Sequence, residues 1–428
     1  MATPIWIGGA EAVAQVTEWI FAGTWEADDV INVTIGTRTE SVEAGDTVIA
    51  TIVNTLFAAL NASTQAEFAE ITWSRSGNNL VGTADTAGTP FIATVATTET
   101  GGGAADAQTI DGAASSTGVD STACTGPNHA DNAQNWSGAA LPVDSDTIVF
   151  ADSTVDCLYG LTGINDVVAA VFEVHQTYTG KIGLPPTNAA GAYYEYRTRF
   201  LTLEAATILR VGVGEGTGSN RVLIDTLAGA SAVLVLGTGS PEANAQAAFF
   251  WKGTHASNTL TVQKGHVGVG LYAGEVATVA TLNVGYQTNP AGDAKVYLGT
   301  GVTLTTINQS GGILHTRSNV TTMNQTDGEW KHFAGTVTTV NIDGGSCRYR
   351  STGTLTTLNM GSDGEMDFRQ DASARTITNI NMYEGFRWYD PAGTVTATNG
   401  FDFVRTSPGD SRNKFVTAEN RTWTPTSI

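Results

Sequence analysis

The residues with the clearest capacity for chemistry are four carboxylates that stand directly before glycine. Asp327, Asp343, Asp363 and Glu384 recur at comparable steps along the C-terminal half of the chain. Cleavage of a glycosidic bond takes two carboxyl groups roughly 5 to 9.5 Å apart, a separation that neighbouring or next-but-one turns of a repeat would supply. An acid before Gly is equally the chemistry of a tight turn, in which the side chain accepts from the backbone and Gly relieves the strain. The turn accounts for all four, so no catalytic residue is assigned. Other motifs carry less. His129, His175, His255, His266, His315 and His332 are scattered, with no metal-ligand spacing on a defined element. Cys124, Cys157 and Cys347 are far apart and odd in number; they fit neither a zinc site nor a disulfide framework and read as buried or idle thiols. Gly212-Val-Gly-Glu-Gly-Thr-Gly lacks the register and the lysine of a phosphate loop. No metal and no cofactor is expected.

Binding is better served than catalysis. In the strand after each turn, His315, Lys331, Arg348, Asp367 and Trp388 are expected at equivalent outward positions. Arg317, Phe333, Arg350, Arg369 and Asp390 are expected at the next position on that face. Basic and aromatic side chains interleave there, on a chain whose net charge is -20. Such a face suits a glycan or an acidic protein surface. The overall acidity argues against nucleic acid, whose phosphates need clustered Lys and Arg.

A repeat must position these residues. From Thr278 onward the pattern apolar, Thr, Thr or Asn, apolar, Asn recurs, as in Leu304-Thr-Thr-Ile-Asn and Val337-Thr-Thr-Val-Asn. It ends in turn at Asn283, Asn308, Asn324, Asn341, Asn359, Asn381 and Asn399, at spacings of 16 to 25 residues. A period near 20 with Gly-rich turns and no intervening helix predicts a right-handed parallel β-helix. The seven asparagines are then expected to stack at a corner as a structural ladder that satisfies buried amides. Two apolar rows lie three residues apart: Val279, Leu304, Val320, Val337, Leu355, Ile377 and Val395, and Leu282, Ile307, Met323, Val340, Leu358 and Ile380. In a straight strand, positions three apart face opposite ways. Either a corner separates the rows, or the second row is an outward stripe buried in a homo-oligomer, for which a trimer is expected.

The composition agrees: only 14% of residues are charged and Gly supplies 49 positions, which describes a mainly β chain rich in turns. Three parts are expected. Residues 1–100 read as a small α+β module, residues 101–135 as a Gly/Ala/Ser/Asp-rich linker, and residues 136–428 as the β-helix with its C-terminal cap, its regular part at about 278–400. In the first part, apolar residues at Val48, Ile49, Ile52, Val53, Leu56, Phe57 and Leu60 predict an amphipathic helix with Asp46 at its start. The charge is lopsided, for Arg38, Arg75 and Lys181 are the only bases before Arg197. The start carries no basic residue or unbroken apolar stretch, so no signal peptide or membrane segment is expected.

Asn135-Trp-Ser-Gly-Ala-Ala-Leu-Pro resembles the segment that enters many parallel β-helix proteins. Val42-Glu-Ala-Gly-Asp-Thr, Leu56-Phe-Ala-Ala-Leu-Asn-Ala-Ser and Thr83-Ala-Asp-Thr-Ala-Gly-Thr-Pro-Phe resemble small domains of structural proteins of tailed bacteriophages. The resemblance implies a non-enzymatic virion component, a capsid decoration protein or fibre, whose acidic N-terminal half docks to other virion proteins while the β-helix projects. It equally admits a tail spike that binds or cleaves a host surface polysaccharide. No catalytic motif of such enzymes is matched, and no residue role is carried over.

Overall fold

The computed structural model describes residues 2–100, 108–285, 294–361, 363–404 and 414–417. Strand dominates, at 47% against 5% helix. The helix reading falls where the apolar spacing put it. Ile49–Asn61 is helical and buries Ile52, Val53, Leu56 and Leu60. Asp46 does not cap it: its carboxylate accepts from the amides of Thr47 and Val48 at 2.7 and 3.0 Å, forming a turn just ahead of the first helical residue. The helix lies on two antiparallel sheets. One pairs Val16–Ala22 with Asn79–Ala84, and Asn79–Ala84 with Ile71–Ser76; the other pairs Val30–Ile35 with Arg38–Glu43 and Thr94–Thr98.

The expected linker is structured in its described part. Thr109–Ile110 and Val119–Thr122 both pair with Val16–Ala22, and Ser115–Ser116 pairs with Thr94–Thr98. Small and polar residues here add strands to sheets whose other edges come from the first 100 residues, a pairing that composition does not disclose.

Beyond it, 22 strands among the described residues form one parallel sheet running from Thr147–Phe150 to Lys414–Thr417. Successive strands do not pair with each other over most of its length. Ala232–Val235 pairs with Thr259–Val262, for example, while Val222–Asp225 pairs with Phe249–Lys252. The chain therefore alternates between two ladders, laying one strand on each in turn. Val302–Thr316 and Val320–His332 are long enough to run across both.

Both apolar rows point inward. Leu282, Ile307, Met323, Val340, Leu358 and Ile380 are as buried as Val279, Leu304, Val320, Val337, Leu355, Ile377 and Val395. The threonine pair between them explains it. Thr305 is exposed and Thr306 half-buried, so two successive residues leave the core and the strand bends there. The second row is thus no outward stripe and offers no interface. One core runs from Trp6 to Phe403. Trp6, Trp136 and Phe150 close its first end, with ring centroids 5.2 to 5.6 Å apart. The N-terminal segment reaches them through a parallel bridge from Ile5 to Val149.

Where the chain bends from one ladder to the other, glycine lies on glycine. Gly328 has φ of +91° and Gly345 of +75°. A Cβ on Gly345 would lie 2.5 Å from the carbonyl oxygen of Gly328, so both the dihedral and the close stacking exclude a side chain.

Candidate functional site

The ladder of asparagines forms, with one change of member. Asn308 donates to Asn283 at 2.9 Å, Asn324 to Asn308 at 2.9 Å, and Asn341 to Asn324 at 2.7 Å. Asn359 then donates to Asn341 and Asn381 to Asn359, each at 2.7 Å. Asn399 stands outside this row, donating to Asn379 at 2.7 Å, while Asp402 takes the position opposite Asn381. The last copy is out of step because Val395 pairs with Arg375 rather than Ile377, which places Asn399 opposite Asn379. The row is half-buried, on the outward side of its strand. The inward neighbours Gln309 and Gln325 supply the buried amides instead, each donating to turn carbonyls of its own and the next strand pair.

The basic and aromatic face exists as well. Tyr297, His315, Lys331, Arg348, Asp367 and Tyr389 form one row across the second ladder. Trp388 is not in it. Trp388 is fully buried and packs 4.8 Å from Phe368, because a one-residue change of parity turns every side chain of a strand to the other side. Tyr389 takes the outward place, and Asp390 is buried, accepting from the amides of Thr394 and Val395. Arg317 and Arg350 lie 5.0 and 5.3 Å from the Phe333 ring, and His315 stands edge-on to it. Burial, aided by Lys331, lowers the His315 imidazole below its ordinary value. Glu329 neutralises much of the rest, reaching Lys331 at 3.1 Å and Arg348 at 2.8 Å, and Asp367 holds Arg369 at 2.9 Å. The face is thus a lattice of paired charges with Phe333 flanked by guanidiniums.

A second site lies where the antiparallel sheets meet the parallel stack. Segment 184–197 loops back from the stack, and Tyr193 donates to Glu70 at 2.6 Å. Tyr196 donates to the other oxygen of the same carboxylate. Arg197 donates to the carbonyl of Pro90 at 2.9 Å and pairs with Glu195 at 2.7 Å. Beside this contact opens a cleft of about 870 Å³, lined among others by Glu70, Asp156, Tyr159, Tyr193 and Asn188. Across it Glu242 binds Arg221 through both oxygens, at 2.9 and 2.8 Å, and Lys181 at 3.0 Å. Burial alone would raise the Glu242 carboxyl; Lys181 and Arg221 outweigh it and hold the group below the usual carboxylate range. Aromatic faces beside fixed amides, carboxylates and guanidiniums are the ordinary means of holding a sugar ring.

Comparisons with protein-family models, with curated proteins and with solved structures find no match to this chain.

Asp343, Asp363 and Glu384 lie at turns or bends between strands, whereas Asp327 lies within the long strand Val320–His332. Asp327 accepts from the Gly328 amide at 2.7 Å, and Asp363 has a positive φ. Among the described residues no cluster of three or more His, Cys, Asp or Glu has the arrangement of a metal site, and no helix is long and apolar enough to cross a membrane. The cleft has no counterpart in the motifs read from the sequence. Its residues come from segments more than a hundred positions apart, and Tyr193-Tyr-Glu-Tyr-Arg, with three tyrosines in five residues, is the one local signal.

Proposed function

We propose that this chain is a non-enzymatic structural and surface component of a tailed-phage virion, a decoration or fibre protein. Its N-terminal unit docks to the particle, and its parallel stack, wound as a right-handed β-helix, projects from it. The observation that carries this reading is the continuous core from Trp6 to Phe403, which joins the N-terminal segment to an unbroken stack of parallel strands. A chain that alternates between two parallel ladders winds as it goes, and parallel crossovers are right-handed in about 98% of cases. Rows of like residues in register favour a rigid, extended body, which suits projection. Mass spectrometry of purified particles tests the assignment. Stoichiometric presence of the chain supports it, and absence from particles removes it.

The cleft beside Glu70 and Tyr193 favours a second reading, in which the stack also binds a surface polysaccharide. Its acids are engaged by tyrosines, Lys181, Arg197 and Arg221, which fits binding better than proton transfer. Release of reducing ends from a host polysaccharide, lost on Asp343→Asn, Asp363→Asn or Glu242→Gln, would replace the non-enzymatic reading with a cleaving one.

A further inference from the structure

Cys124 stands in a setting that its position in the sequence does not advertise. It follows Val119–Thr122 at the seam between the antiparallel sheets and the stack, and it is half-exposed. Its Sγ lies 3.7 Å from Nε2 of His129. The same Nε2 faces the Gly88 carbonyl at 3.0 Å, and Nδ1 faces Oδ1 of Asp131 at 3.6 Å. Both ring nitrogens therefore point at acceptors, a carbonyl and a carboxylate, and only the doubly protonated ring suits both.

The loop that carries them is tied down. Asn135, wholly buried, donates to the carbonyls of Gly126 and His129 at 2.7 and 2.8 Å, and accepts from the Ala10 amide at 2.8 Å. Thr125 is bridged to Val13. The imidazole is thus set beside the sulfur before any reagent arrives. Tyr159 faces it from the stack, 5.4 Å between ring centroids, and the Arg197 guanidinium lies over Tyr159. Burial opposes the charge on His129, but the hydrogen bonds to Asp131, Cys124 and Gly88 outweigh it and raise the imidazole to about 9. At neutral pH a cation stands next to the thiol, the arrangement that turns cysteines into nucleophiles.

We propose that Cys124 is a reactive thiolate site, held ready by His129 and Asp131, that takes soft carbon electrophiles and small disulfides. With a disulfide, the Cys124 sulfur attacks one sulfur of the reagent and a new S–S bond forms. The old S–S bond breaks, its electron pair leaves with the other sulfur, and that thiolate takes a proton from water or from His129. No further oxidant is needed, because the reagent disulfide is reduced as Cys124 is oxidised. The inference does not depend on where the protein acts.

Iodoacetamide on the folded full chain, followed by peptide mapping, is the test. Cys124 is expected to be alkylated while Cys157 and Cys347, both fully buried, stay unmodified. His129→Asn should slow alkylation at pH 7 by about tenfold or more, because it removes the cation beside the sulfur. Should that variant fail to fold, Asp131→Asn, at a half-exposed side chain, is expected to slow it in the same sense. Alkylation of Cys124 no faster than that of an unstructured thiol, or unchanged rates in a folded variant, would overturn the proposal. Oxidised glutathione should add once, at Cys124; a protein that alkylates rapidly but forms no such adduct would sink the disulfide part.

Discussion

Asn341 is the middle of its ladder. It donates to Asn324 and accepts from Asn359, each at 2.7 Å, so leucine there would leave two partner amides unpaired. Asn341→Leu is expected to lower stability by about 1–3 kcal/mol, read as a shifted urea midpoint with an unchanged slope. His332 makes the other residue-scale case. It is wholly buried, receives the Thr316 hydroxyl on Nδ1 at 2.7 Å and donates from Nε2 to the Gly335 carbonyl at 3.1 Å. Thr316 in turn accepts from the Trp330 indole at 3.0 Å, which leaves its hydroxyl proton for the imidazole and sets the neutral tautomer. Burial lowers the imidazole from 6.5 to about 4, only partly countered by the Gly335 carbonyl. The unfolded chain binds the proton first as pH falls. The contribution of neutral His332 is therefore complete above the unfolded value and is lost between pH 6.5 and 4, to a limit of about 3 kcal/mol. Denaturation measured at pH 7 and at pH 4.5 should show the loss, and His332→Gln should flatten that part of the profile.

At the scale of the element, each strand of the repeat is set by what stacks above and below it. Val340 pairs with Met323 on one side and Leu358 on the other, with no water reaching any of them. An aspartate at 340 would place a carboxylate in that row without a partner. Val340→Asp together with Leu358→Asp is therefore expected to yield insoluble or unfolded chain rather than a folded monomer, as circular dichroism and sedimentation would report. The glycine stack is a second constraint at this scale. Gly345→Ala meets both a positive φ and a carbonyl 2.5 Å away, and should cost at least about 1–2 kcal/mol. An alanine variant as stable as the parent would mean that the turns do not stack in this way.

At the scale of the whole molecule, the polar contacts around Glu70 are one of several ties between the N-terminal sheets and the stack. Tyr193 and Tyr196 satisfy both of its oxygens, and Arg197 ties the same segment to Pro90. Hydrogen bonds to a charged acceptor are worth about 1.5–3 kcal/mol each. Tyr193→Phe with Tyr196→Phe should loosen the junction without unfolding either part. The expected sign is faster amide exchange and faster proteolytic nicking in residues 184–197, with exchange in the Leu355–Met360 strand unchanged. Equal protection in the variant would place the rigidity of the junction elsewhere, in the Trp6–Trp136 packing.

The sequence by itself determined the mainly β class, the single amphipathic helix and the repeat that sets which strands lie side by side. These are local properties: apolar spacing, threonine-rich strands, and asparagines that stack because each copy places them at the same step. Only the tertiary structure decided the sense of the second apolar row, since the bend at Thr305 and Thr306 is a response to packing that a period-two reading cannot anticipate. Trp388 was misplaced for a related reason, a one-residue change in turn length that reverses parity. The strands of 108–122 were hidden because their pairing partners lie far back in the chain. The cleft was hidden for the same cause, since Glu70 meets Tyr193 across 123 positions; Cys124, His129 and Asp131 are close in sequence, but the Gly88 carbonyl that fixes the imidazole comes from 41 positions away. Contacts of that range follow from how the chain packs, and no spacing along the chain encodes them.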